Sequence, residues 1–341
     1  MNFGKIRYVQ KSRYLNNARA VVTHTIDDST RYIIDSLDTM DKYDIKATIF
    51  VSTEVEPISQ LWPRLRQAVA NGHEIGSHSR RHQCRTSDTF LFCFLAYTGY
   101  EISGSRDDIL SHTNQPHVWS WCYPCGQCAG VEFVHRKLAR GGYLVARNYP
   151  GENRYRHNLP DLQTYDPNPY NASYTQVVQK KGGTARSGRT DVAELNAKFD
   201  EVYQRDGIYS FVSHPAWLDY CPDMFYERHL AHVGKRPDVW YVPMGPLYAY
   251  RTVAERTEIR QLEPMDGAER FAVYNDLDPE IFNTSITLEF SVPERVSILS
   301  HGKALSESKR QLTIHWNSEY VRRQGDSVFV TIRPNTILEF R

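Results

Sequence analysis

The N-terminal two-thirds of the chain alternates apolar runs with amphipathic segments. Residues 18–26 (ARAVVTHTI) form a β-branched apolar run and predict a buried strand. Residues 30–43 place Ile33, Ile34, Leu37 and Met40 at helical spacing. A second strand is predicted over 45–52, a helix over 61–71 with Gly72 as its stop, and a short strand over 73–77 that delivers His78. The pattern continues with a helix over 98–111, a strand over 118–123, a helix over 131–140 and a strand over 143–147. A helix over 191–206, a strand over 208–213 ending at His214, and a helix over 246–258 complete it. Strand and helix in alternation predict a parallel α/β sheet or barrel. Residues 148–189 have no period and are rich in Asn, Pro, Tyr and Gly, so they are expected to form a functional loop or covering insertion.

From about residue 267 the texture changes. Short alternating runs at 271–274, 285–290, 296–299, 312–316, 327–332 and 336–340 predict a small β-sandwich. The expected organisation is a catalytic α/β domain over 1–262, with its insertion at 148–189, and an accessory module over 267–341. That module carries no catalytic cluster. A structural role is favoured over carbohydrate contact.

Charge adds mainly exclusions. With 41 basic and 40 acidic residues the net charge is +1, and the basic residues are scattered. No nucleic-acid partner is expected, and no apolar stretch is long enough for a membrane span. The first ten residues, MNFGKIRYVQ, lack an apolar leader core, so the chain reads as cytoplasmic as it stands, or as secreted or periplasmic if a leader was removed. The six cysteines suggest no paired framework. The Cys122-x-x-Cys125-x-x-Cys128 spacing is expected to reflect small buried residues rather than a metal site.

Two polar clusters follow apolar runs, where strand ends would put them: Thr25-Ile26-Asp27-Asp28 and His78-Ser79-Arg80-Arg81-His82. Two carboxylates and two imidazoles suffice for one divalent metal and one general base. Each cluster also has an ordinary reading. Asp28 can cap the following helix, and His78 and His82 can be a solvated pair. If they bind metal, the i, i+4 spacing suggests that they meet on one face of a helical turn.

Taken together and in order, the clusters resemble the T-F-D-D and H-S/T-x-x-H motifs of the polysaccharide deacetylase (NodB-homology) family of carbohydrate esterases. The flanks are similar as well: residues 46–51 (KATIFV) and 71–78 (NGHEIGSH) match that family's strands. The resemblance covers about residues 18–258. It implies a distorted (β/α) barrel, with Asp28, His78 and His82 holding one divalent metal, zinc first, and Asp27 as base. Tyr123-Pro124-Cys125-Gly126 resembles the family's third motif, which implies an oxyanion-binding backbone N–H at Cys125 and a place near substrate for Tyr123. His214, at its strand end, is implied as general acid. Arg147 is a candidate to orient Asp27, and Trp217 a candidate wall of the acetyl pocket. The chain departs from the family pattern at Ser29-Thr30 and lacks an Arg at the start of the third motif, where Ser120, Trp121 and Cys122 stand. The implied activity is metal-dependent removal of acetyl groups, at nitrogen or oxygen, from an acetylated carbohydrate. The alternatives are hydrolysis of small cyclic amides or ureides on the same scaffold, and an inactive carbohydrate-binding relative.

Overall fold

A computed structural model describes residues 6–85, 89–149, 165–180, 188–292, 295–308 and 318–341. The chain divides into two compact units, Ala20–Tyr248 and Met1–Arg19 with Ala249–Arg341. This differs from the boundary expected at residue 262. Strand β1 (Arg7–Lys11) pairs antiparallel with a strand of the C-terminal unit, Ile286–Ser291. The stretch Glu258–Met265, where no element was expected, is a strand of that unit too.

The larger unit is built on a parallel sheet. Its strands are β2 (Ala20–Ile26), β3 (Ala47–Val51), β4 (Glu74–Ser77), β5 (Ser120–Cys122), β6 (Val145–Arg147), β7 (Gln176–Val177), β8 (Ile208–Ser213) and β9 (Val239–Tyr241). The order is β6-β5-β4-β3-β2-β8-β7, with β9 beside the first half of β2. The sheet curls into a half-barrel. All seven residues of β2 are buried, Thr23, His24 and Thr25 included, so the strand has no exposed face.

Helices α1 (Ile33–Lys42), α2 (Ile58–Ala70), α4 (Gly99–His112) and α5 (Glu132–Arg140) lie close to their expected spans. In α1 the stripe Ile33, Leu37 and Met40 is buried, while Ile34 stays partly in water. The periodicity did not reveal α3 (Phe90–Ala96), because the segment FLFCFLA is apolar on every side. Phe92, Cys93 and Ala96 are buried there, and Phe90, Leu91, Phe94 and Leu95 are exposed. The helix Phe225–Val233 and the short strands β7 and β9 were also missed. Among the described residues no helix is long and apolar enough to cross a membrane.

The other unit contains two antiparallel sheets. One pairs β1, Ile286–Ser291, Ser327–Ile332 and Tyr320–Gln324 in that order. The second joins Glu258–Met265, Ala268–Tyr274, Thr336–Phe340, Ile298–Ser300 and Lys303–Ala304. Phe290 of the first meets Phe271 and Phe340 of the second, with ring centroids 5.0 and 4.8 Å apart. The strand expected at 312–316 lies outside the described residues.

Candidate active site

Register brings the site together. Ile26 pairs with Ile49 and with Ser213, Val51 with Ser77, Ser77 with Trp121, and Cys122 with Arg147. The residues just beyond these positions therefore share one edge of the sheet. Asp27 and Asp28 follow β2, Ser52 follows β3, His78 follows β4, and His214 follows β8, while Arg147 ends β6. The carboxyl ends of parallel strands are where α/β sheets place their ligands.

Serines stitch the first three ends together. Ser29 Oγ donates to the Ser52 carbonyl (3.1 Å) and accepts from the Ser52 N–H (2.9 Å), and Ser52 Oγ donates to the His78 carbonyl (2.9 Å). Ser29, the departure from the family pattern, thus ties the end of β2 to the end of β3, and Ser52 carries the link on to His78. Asp28 is not a helix cap. Its φ is +75°, α1 begins only at Ile33, and the residue before it makes no side-chain cap bond.

Asp28 Oδ1 lies 3.7 Å from His78 Nε2 and 3.5 Å from His82 Nε2, and the two imidazole nitrogens are 3.1 Å apart. The histidines do not meet on a helical turn, as the spacing suggested. Ser79 and His82 have φ of +66° and +50°, and the buried Glu101 of α4 accepts the backbone N–H groups of Arg80 and Arg81 (2.9 and 3.1 Å). A folded-back loop, pinned from outside, performs the task assigned to helical geometry. His78 Nδ1 donates to the Cys122 carbonyl at 2.9 Å, which leaves the Nε2 lone pair facing His82 and Asp28. Burial, and then the neighbouring His82, lower the His78 pKa to about 4, so it is neutral and able to ligate. Two imidazole nitrogens and a carboxylate oxygen converging in this way fit one divalent ion.

Asp27 is almost fully buried beside this group. Both of its oxygens accept from Arg147 Nη2, and its Oδ2 is 3.7 Å from His214 Nε2. Burial pushes the carboxyl upward, but the charges of Arg147, His214 and His78 outweigh it and hold the pKa at about 2. Cys122 completes the surroundings. Arg147 Nη2 donates to its sulfur at 3.0 Å, and the thiol sits 3.7 Å from Asp27 Oδ2. Burial first of all pushes the Cys122 thiol well above its ordinary range, so it stays protonated.

His214 is held by a residue the sequence did not mark. Gln179 Oε1 accepts from both the backbone N–H and Nδ1 of His214, each at 2.9 Å. Tyr149 meets the imidazole edge-on at 5.2 Å, and Trp217 lies 5.0 Å away on another side, half-buried. Gln179 falls in the aperiodic stretch where no pattern signalled a strand. Its place is set by β7, which pairs beside β8. Of the tyrosines in that stretch, Tyr165 packs on Tyr248, and Tyr170 donates to the Tyr143 carbonyl. Tyr155 lies outside the described residues.

The third-motif turn corrects two expectations. Cys125 has φ +54°, and the N–H groups of Gly126 and Gln127 are taken by the Tyr123 and Pro124 carbonyls. Among the described residues no acceptor is bonded to the Cys125 N–H, as an oxyanion donor requires. Tyr123 does not face this space. Its side chain is fully buried and its hydroxyl donates to the Tyr170 carbonyl at 2.7 Å. The cysteines do form a framework: Cys84 is bonded to Cys125, and Cys93 to Cys128, with Cα separations of 6.0 and 5.8 Å. The bridges span 41 and 35 residues, so no local spacing could announce them. The first ties the loop carrying His82 to the turn carrying the Cys125 N–H. Cys122, the first member of the regular spacing, is a free buried thiol, and Cys221 is free and exposed.

Residues 15–138 match the family model for polysaccharide deacetylase. The fold is similar to that of a protein from Mycobacterium smegmatis named as a polysaccharide deacetylase, with a TM-score of 0.50 and 14% identity over 76% of this chain and 100% of that one. A polysaccharide deacetylase so named from Pseudomonas aeruginosa PAO1 gives a TM-score of 0.51 at 14% identity, over 70% of this chain and 93% of that one. Puue allantoinase gives 0.50 at 14% identity, over 70% and 92%. At such identities the likeness is one of fold. No curated protein matches the chain.

Proposed function

We propose that the chain, whose residues 15–138 match the family model for polysaccharide deacetylase, is a metal-dependent hydrolase removing acetyl groups, at nitrogen or oxygen, from an acetylated carbohydrate. The observation that supports this most is the convergence of Asp28, His78 and His82 on one point, with Asp27 beside them and His214 beyond. A divalent ion held there, zinc first, would polarise the acyl carbonyl and acidify a water, which suits a base as weak as Asp27. Asp27, kept charged by Arg147, takes a proton from the attacking water. The Cys125 N–H donates to the developing oxyanion. His214 gives its Nε2 proton to the departing amine or alkoxide. Trp217, beside His214, walls the acetyl group. The β-strand unit is proposed as an accessory sandwich without catalytic residues.

The test is acetate release from N- and O-acetylated oligosaccharides by protein loaded with zinc, compared with chelator-treated protein and with Asp27→Asn. Loss of acetate in both comparisons supports the proposal. Activity surviving complete metal removal would overturn the metal's part. Turnover of small cyclic amides, with none on acetylated sugars, would replace the substrate.

A further inference from the structure

The hydrogen bonds around Gln179 fix the place of a proton on His214. The backbone N–H of His214 can only donate. The Gln179 atom 2.9 Å from it must therefore be the carbonyl oxygen, which settles the orientation of the amide. The same oxygen is 2.9 Å from His214 Nδ1, and an oxygen without a hydrogen can only accept. His214 Nδ1 thus carries a proton in the neutral ring as well as in the charged one. The other nitrogen, Nε2, is left to gain and lose the proton, and it faces Asp27 Oδ2 at 3.7 Å.

We infer that Gln179 is a positioning residue that locks His214 in the Nδ1–H tautomer and aims Nε2 at the reacting groups. The inference rests on the reading of His214 as the general acid. Gln179 is well placed for the task. It is fully buried, and it follows β7, whose pairing with β8 sets its distance from His214. The ring is flanked by Tyr149 and Trp217, which hinder its rotation. Gln179 is also uncharged. Among the described residues, the charged groups facing the imidazole are Asp27, just after β2, and Arg147, on β6, which binds Asp27. With an amide rather than a carboxylate on Nδ1, the contact fixes the ring without placing a negative charge on that nitrogen.

The experiment is long-range 1H–15N correlation of histidine-labelled protein, with the His214 signals identified by their loss in His214→Asn. The expected neutral ring has a protonated Nδ1 and a bare Nε2. Gln179→Leu removes the acceptor and is expected to give mixed tautomers and a kcat lower by roughly 10- to 100-fold, as for outer-shell partners of ligating histidines. Gln179→Glu keeps the acceptor and adds charge. It is expected to keep the tautomer and to move the alkaline limb of the pH–rate profile upward by about one unit or more. This second variant remains informative if the leucine variant fails to fold. A neutral Nε2–H ring in the parent protein, or a tautomer unchanged in Gln179→Leu, would overturn the inference. The spectrum needs no substrate, so an Nδ1–H ring in a protein that releases no acetate would sink the deacetylase reading and leave this one standing.

Discussion

Arg147 Nη2 donates to both carboxylate oxygens of Asp27, and the side chains are 0% and 2% exposed. A pair this deep gains from its partnership only while both members remain. Arg147→Met would leave a buried charge without a partner, and a loss of about 3–5 kcal/mol in urea unfolding is expected. Adding Asp27→Asn should recover most of that stability but no acetate release. Equal stability in the single and double variants would show that the pair is not the cause.

Zinc titrated into chelator-treated protein should bind at one site per chain by calorimetry. At about 100 times its Kd it should stabilise the fold by about 2.7 kcal/mol. Asp28→Ala and His82→Ala should abolish this. Cys122→Ala should leave it intact, since a thiol pushed up by burial is not a ligand, although Cys122 stands with Asp27 and His78 in a second possible group. Loss of zinc in Cys122→Ala would move the site to that second group.

Thiol counting checks the bridges. Unreduced protein in guanidinium should expose two thiols, Cys122 and Cys221, and the folded protein only Cys221. Replacing Cys93 and Cys128 together, which removes a buried bridge bonded to none of Asp28, His78 and His82, should cost about 2–4 kcal/mol with activity retained below the new melting point. Replacing Cys84 and Cys125 should lower activity more than stability, because that bridge joins the His82 loop to the turn whose Cys125 N–H is proposed to hold the oxyanion. Six reactive thiols in guanidinium would refute the pairing.

Acid should destabilise the protein before its carboxylates titrate. His24, His73 and His229 are buried, and burial first of all lowers their pKa values, that of His229 to about 3. His73 shows why: its Nδ1 accepts from the Ala47 N–H and its Nε2 donates to Asp41 (2.9 Å), so a second proton would break the first bond. The unfolded chain binds these protons near pH 6.5 and the folded one does not. This stability is therefore fully present above about pH 6.5 and falls as pH drops, by up to about 1.4 kcal/mol per pH unit for each histidine. Urea midpoints from pH 7.5 to 5 measure the slope, and His229→Gln should reduce it. A flat profile would mean that these rings are protonated in the fold.

The fold was legible where burial imposes a period. The β-branched strand β2, the stripe of α1 and the strand delivering His214 lie near their expected places, because packing demands the same residue types wherever such elements occur. The segment FLFCFLA had no period to read, and α3 was missed for that reason. Asp27, Asp28, His78, His82 and His214 were nameable because chemistry restricts which residues can serve, and strand ends restrict where.

What the sequence by itself determined is this inventory: a parallel α/β sheet, reactive groups at its strand ends, and their order along the chain. Only the tertiary structure decided how they meet. The loop held by Glu101 turns two histidines onto Asp28, register sets Arg147 on Asp27 from 120 residues away, and Gln179 reaches His214 across paired strands. The two disulfides belong to the same class. Each of these contacts depends on the distance between backbones brought together by folding, a quantity that no local spacing along the chain contains.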